Sequence, residues 1–262
     1  MKTLVSIMIF VALVSFATAD DVAQEITYVD NFTGVGIRAM AMGGAHIALA
    51  QDYSAAYYNP ALLGFVYRNE VGGIISVRNG KSSCAIGGIN SRTSQFSSVK
   101  LGALGGVLSL QAKRGGVALA GGFYRFQSFD HSAEFFGTRK DNNTIDALEN
   151  SDGGVGALFF GIGGQVSKAI SMGATVEALA GANNYTWDAT ISGFTDSTII
   201  DSVFSDALTD DVSGVTGRFG LAITPNKYFT WGALVKFPAA IAIKQEYIQK
   251  TTLEKTDSTD EI

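Results

Sequence analysis

The sequence predicts an all-β fold, a transmembrane antiparallel β-barrel, and three observations predict it. From Val66 onward, apolar residues alternate with small or polar ones at a period of two, over runs of ten or more residues where strands of ~5 to 6 are usual. Short turns alternate with long acidic connections, as in a barrel with tight turns at one end and long loops at the other. Charged residues, Glu177, Arg218, Lys236 and Lys244, fall on the strand face opposite the apolar one. A soluble sandwich also alternates, but it turns its polar face to bulk water. A buried ring of those four charges makes sense where the polar face lines a lumen and the apolar face meets lipid. Composition agrees, because 31 Gly and 17 Phe with only 3 Pro in 262 residues suit crowded strands whose ladders Pro would break.

Near its start the sequence has Lys2, an apolar run from Leu4 to Phe16, and Ala17-Thr18-Ala19. A basic start, a short apolar run and a small-x-small site define a secretory signal peptide over residues 1–19, too short to span a bilayer as a helix. Residues 20–64 form a second region. Asp20 to Val35 is a polar lead-in, and Gly36 to Gly64 reads GIRAMAMGGAHIALAQDYSAAYYNPALLG. Its small side chains favour a short helix and a tight Gly43-Gly44 turn, while Pro60 holds Asn59 away from the helical region and makes a rigid corner.

Residues 65–262 form the partial barrel, with seven expected strands at about 66 to 78, 100 to 112, 117 to 129, 155 to 167, 172 to 187, 215 to 224 and 229 to 248. Tight turns are expected at Lys113 to Gly116, Lys168 to Ser171 and Pro225 to Tyr228, and long acidic loops at Asp130 to Gly154 and Asp188 to Gly214. Phe229 and Trp231 beside a turn, and Tyr185 and Trp187 before a loop, stand where aromatic girdles belong. Seven is odd, whereas bacterial single-chain barrels have an even number of strands. The expectation is therefore an incomplete barrel: a curved open sheet, the Gly36 to Gly64 segment on its concave face, and no pairing between first and last strands. Either a further half follows in the native gene or two copies close together.

The pattern G-x-R-A-x-x-M-G-G-A, a small-residue helix, then D-x-x-A-x-x-x-N-P-A-x-L resembles the mature N-terminus of the FadL/TodX family of outer-membrane transport barrels and of the related PorV-like barrels. The resemblance continues through Gly122-Phe123-Tyr124-Arg125-Phe126 and Val235-Lys236-Phe237-Pro238 to the end, and covers the first half of a fourteen-stranded family fold. It implies that residues 36–64 are a hatch in the lumen, with Arg38, Met40, Met42, Gly43, Gly44, Asp52, Asn59, Pro60 and Leu62 as candidates for the ligand pathway. Leu49 and Leu63 are further apolar candidates for a pocket floor. The implied function is passive uptake of hydrophobic small molecules, such as long-chain fatty acids or aromatic hydrocarbons, across a bacterial outer membrane. The alternative is a PorV-like barrel that binds or shuttles secreted proteins. Holding the plug in place is an equally good role for the same residues.

Other chemistries find little support. The net charge of −5 offers no basic patch for nucleic acid, and the single Cys84 excludes an intrachain disulfide. His46 and His131 have no neighbouring His or Cys for a metal, and no cofactor is implied. Asp130-His131-Ser132 are adjacent in sequence, whereas a catalytic triad converges through space. Gly161-Ile162-Gly163-Gly164 is followed by no helix or acidic partner, so these are read as strand glycines facing a crowded lumen, not a nucleotide loop.

Overall fold

The computed structural model describes residues 34–85, 91–111, 115–138, 143–195, 198–226 and 228–256. The expected signal peptide and most of the expected lead-in lie outside the described residues. So do the middle of the turn before Gly115 and residue 227.

Two short helices and a 3-10 helix precede the sheet: α1 (Ile37–Ala41), α2 (Ala55–Tyr58) and the 3-10 helix Pro60–Phe65. Helix α1 stops where the sequence indicates. Gly43 and Gly44 take φ of 63° and 83°, a region that favours glycine, and Gly44 N–H returns to the Ala39 carbonyl at 2.8 Å. Asn59 is extended (φ −166°) ahead of Pro60, and its side chain caps the 3-10 helix by accepting from Ala61 N–H.

Nine strands follow: β1 (Glu70–Ala85), β2 (Ser91–Gln111), β3 (Gly116–Ser128), β4 (His131–Thr138), β5 (Thr144–Gln165), β6 (Ile170–Thr195), β7 (Thr198–Asn226), β8 (Phe229–Lys236) and β9 (Ala240–Thr256). They occupy seven positions in one antiparallel sheet, with β1, β2, β3, β5, β6, β7 and β8 in order. Strand β4 continues β3 along β5, and β9 continues β8 along β7. The seven expected strands are thus the seven positions, two of them interrupted. One interruption holds the buried Asp130, and the other holds Pro238, which has no N–H to give to a ladder. β1 and β8 lie at opposite ends and do not pair.

The expected long loops are corrected. Asp130 to Gly154 contains β4 and the first half of β5, and Asp188 to Gly214 is a hairpin in which β6 and β7 stay paired up to Thr195 and Thr198. The first two strands are likewise longer than expected, joined over Glu70–Ala85 and Ser91–Val107.

The sheet curls into a half-barrel around the N-terminal segment. Seven flat strands at ~4.8 Å spacing would span about 29 Å. Yet residues 47 to 63 reach all seven positions. Tyr53 lies against Gly72 and Gly105, Tyr57 against Tyr124, Leu63 against Gly163, Pro60 against Gly173, Asn59 against Leu221, and Ile47 against Gly232. A segment wound into short helical turns covers all seven because the sheet curls around it. The opposite, outer face is apolar and exposed: Val71, Ile75 and Val77 on β1, Leu158, Phe160 and Ile162 on β5, and Phe229, Trp231 and Val235 on β8. On β6 the outward row runs apolar from Ile170 to Ala180 and turns polar at Asn184 and Asp188. The outward rows of the neighbouring β5 and β7 turn polar at Asp152 and Asp211, and that of β1 at Asn79, all exposed. No helix among the described residues is long and apolar enough to cross a membrane.

Candidate functional site

The site is the joint between the N-terminal segment and the inner face of the sheet. Asn59 is its hub. Its Nδ2 donates to the Ile47 carbonyl (3.0 Å) and the Leu221 carbonyl of β7 (3.1 Å), while Oδ1 accepts from Ala61 N–H (3.1 Å). Ser171 Oγ donates to the Ala61 carbonyl at 2.6 Å and Thr175 Oγ1 to the Ala56 carbonyl at 2.9 Å, so β6 caps backbone groups that the short helices leave open. Glycines make the approach possible. A Cβ on Gly173 would stand 2.7 Å from Ala61 N and closer still to the Pro60 carbonyl, and one on Gly163 would stand 2.8 Å from Leu63 Cβ. Gly161 and Gly163 therefore face a crowded interior, as the sequence indicates.

Beside this anchor is a dry ion pair. Glu177 on β6 and Arg218 on β7 are 1% and 7% exposed, and Nε and Nη2 of the guanidinium donate to the two carboxylate oxygens. Nη1 donates to the Tyr57 carbonyl at 3.0 Å, and the guanidinium carbon lies 4.1 Å from the Tyr57 ring centre. The pair thus ties two strands to helix α2. Lys236 and Lys244 do not join it. Lys236 sits across from Arg218 but at the exposed sheet edge, and Lys244 lies opposite the exposed Asp211 on the outer face. The reason is register: Arg218 pairs with Lys236 but Val215 with Ala240, so the Pro238 interruption adds one residue and turns β9 over. Tyr185 and Trp187 are corrected too. They share the inner face with Ser151 and Glu149, and the Trp187 ring lies tilted against Phe135 at 5.4 Å between centres, whereas Phe229 and Trp231 do lie on the outer face.

The other N-terminal candidates separate by position. Leu62, Leu63 and Pro60 are buried, while Arg38, Met42 and Leu49 are exposed. Asp52 Oδ1 accepts from Ser54 N–H at 2.8 Å at the entry to α2. Met40 lines a cavity of about 280 Å³ between α1 and strands β1 and β2, with Ile37 and Ile74 as further apolar walls. Arg78, Lys100 and Arg125 also border it. Lys100 is engaged by Asp130, by Asp152 (2.8 Å) and by the Gly153 carbonyl (2.8 Å), whereas Nη1 of Arg78 is buried without a hydrogen-bond partner.

Arg78 and Lys100 were not among the expected site residues; their polar row on β1 and β2 was the available signal. It also missed the state of His46, which is fully buried, edge-on to Tyr58 at 5.3 Å, with neither ring nitrogen hydrogen-bonded. Burial lowers its pKa below 6.5, Asp52 opposes that shift, and Arg38 adds to it. The side chains of Asp130, His131 and Ser132 turn to three separate partners, Lys100, Glu149 (3.1 Å) and Ser94 (2.6 Å).

Comparison with protein-family models, curated proteins and solved structures finds no match.

Proposed function

We propose that this protein is part of an outer-membrane channel for passive uptake of hydrophobic small molecules, in which residues 36–64 act as the hatch. The observation that carries this reading is the cavity beside Met40, with apolar walls shared by the N-terminal segment and the sheet and one unpartnered guanidinium nitrogen at its border. Two features support the membrane setting. The outward apolar row on β6 has the ~9–11 residues that a tilted strand needs to cross hydrocarbon, and polar residues replace it at a similar height on neighbouring strands. On the inner face, Asn59, Ser171 and Thr175 hydrogen-bond across the joint between the N-terminal segment and the sheet.

A long-chain fatty acid bearing a fluorophore, titrated against the protein in lipid nanodiscs, tests the reading. Saturable binding is expected, with affinity lowered about tenfold or more by Met40→Glu, which places a carboxylate in the apolar wall. Binding that Met40→Glu and Ile37→Glu leave unchanged would remove the cavity from the pathway.

A second reading has its own observation. Strand β7 is 29 residues long, so well over half of the β6–β7 hairpin stands beyond the length a membrane needs. A rigid projecting ribbon suits a PorV-like barrel that holds a secreted protein. Co-purification of a secreted protein, lost on shortening the hairpin at residues 190 to 203, together with no saturable fatty-acid binding, favours this reading over uptake.

A further inference from the structure

At the height where the outer face turns polar, the inner face holds a second cavity, of about 130 Å³. Its walls are Phe126 and Phe129 from the end of β3 with Leu179, Val212, Ile241 and Ile243 from β6, β7 and β9. An apolar cavity near 150 Å³ accommodates a benzene-sized molecule, so this one admits a single ring or a short alkyl group. Its charge is the reverse of the cavity beside Met40. Asp210 borders it, and no lining residue is cationic. Gln245 Nε2 donates to Asp210 Oδ1 at 2.8 Å, and Ser151 Oγ donates to Oδ1 of Asn183, which with the neutral Gln127 completes the polar part of the lining. The lysines that could neutralise Asp210 are directed elsewhere: register places Lys244 and Lys250 on the outer face, and Arg218, on the same face of β7, is engaged by Glu177 and Tyr57. Further along that face, Asp206 keeps a buried oxygen, Oδ1, with no hydrogen-bond partner. We propose that this cavity is a binding site for a small organic cation, an aryl or alkyl ammonium whose apolar body sits between Phe126, Phe129 and Leu179 and whose charged head meets Asp210. Two phenyl rings in the wall add cation–π attraction to the carboxylate.

The site is distinct from the cavity beside Met40, so its failure leaves the uptake reading intact. The test is ligand-observed NMR or calorimetry on the protein in phosphatidylcholine nanodiscs, with phenethylammonium, phenylacetate and toluene as probes and empty nanodiscs as the blank. Phenethylammonium is expected to bind at least tenfold more tightly than phenylacetate. Asp210→Asn keeps an acceptor for Gln245 and is expected to abolish that preference while leaving toluene unchanged. Leu179→Trp fills the cavity and is expected to remove binding of all three, with a far-UV circular dichroism spectrum like that of the parent showing that the sheet has formed. Equal binding of ammonium and carboxylate, or a preference that survives Asp210→Asn, overturns the proposal. Phenethylammonium binding that survives Leu179→Trp with the sheet intact overturns the location.

Discussion

Replacing Glu177 by Ala tests whether the buried ion pair fastens the N-terminal segment to the sheet. Arg218 is 7% exposed, so deleting its carboxylate partner leaves a guanidinium that water cannot readily reach. Two unit charges 4 Å apart at an effective dielectric near 20 attract by about 4 kcal/mol, and breaking one side of a buried pair typically destabilises by about 3–5 kcal/mol. Arg218 keeps the Tyr57 carbonyl at 3.0 Å and the Tyr57 ring at 4.1 Å, which places Glu177→Ala at the lower end, about 3 kcal/mol. The double variant Glu177→Leu with Arg218→Met removes both charges and both desolvation penalties, and is expected within about 1 kcal/mol of the parent. Urea unfolding from lipid vesicles, followed by the fluorescence of Trp187 and Trp231, gives both values when the slope of the transition is unchanged. A shift of less than about 1 kcal/mol for Glu177→Ala, or a double variant as unstable as the single one, would show that the pair does not fasten the segment.

Three further outcomes follow from the same joint. Gly173→Ala should cost about 1–3 kcal/mol and speed proteolysis within residues 36–64, because its Cβ meets rigid backbone at Pro60 and Ala61. Gly73→Ala, whose Cβ would be no nearer than 3.4 Å to Leu104 Cδ1, should change stability by less than about 0.5 kcal/mol, and equal effects at the two sites would refute the close packing. Asn59→Ala strips partners from Ile47, Leu221 and Ala61 at once and should destabilise by about 2–3 kcal/mol in the same urea assay. His46 gives a pH dependence: with its pKa held below 6.5 in the folded chain, the unfolded chain takes up the proton first, so stability is full above pH 6.5 and falls as pH drops through the lowered value. Amide exchange in residues 36–64 should quicken over that range, and His46→Leu should flatten the profile; a slope that survives the substitution assigns it to another group.

The parts of the sheet with two chemically different faces were legible in the sequence, and the parts with two polar faces were not. Between Leu158 and Ile162, or Phe229 and Val235, every second side chain is apolar and the others are small or polar, so the period of two is plain. Beyond Asn184 and Asp211 that contrast fades, and Asp201, Asp206 and Asp210 read as loop although register holds them in a ladder with residues 183 to 192. The strand there is specified by its partner and by a short connection at Thr195, not by the difference between its faces. Alternation placed Glu177 and Arg218 on one face correctly, and the same alternation misplaced Lys244, because one added residue at Pro238 turns the rest of the strand over. The cavity beside Met40 had no local signal, since it exists only where α1 comes to lie over β1 and β2.

The direction of the edges decides what can complete the sheet. Every neighbouring pair is antiparallel and the positions number seven, so the first and last, β1 and the β8–β9 ribbon, run the same way. A second copy inserted in a membrane the same way up would bring β1 of one protomer beside β8–β9 of its partner in parallel, at both seams. Parallel pairing is somewhat less stable per residue, and it would have to form between separate chains. Inverting the partner restores antiparallel seams but sends its N-terminal segment to the opposite side of the bilayer. An odd number of added strands that starts by turning back from β8–β9 satisfies both edges without either difficulty. Since unpaired ladder groups in hydrocarbon cost several kcal/mol each, the sixteen residues of β1 alone make an uncompleted edge untenable in lipid. On the proposed membrane reading, closure by additional antiparallel strands in odd number is therefore favoured over pairing of two identical chains.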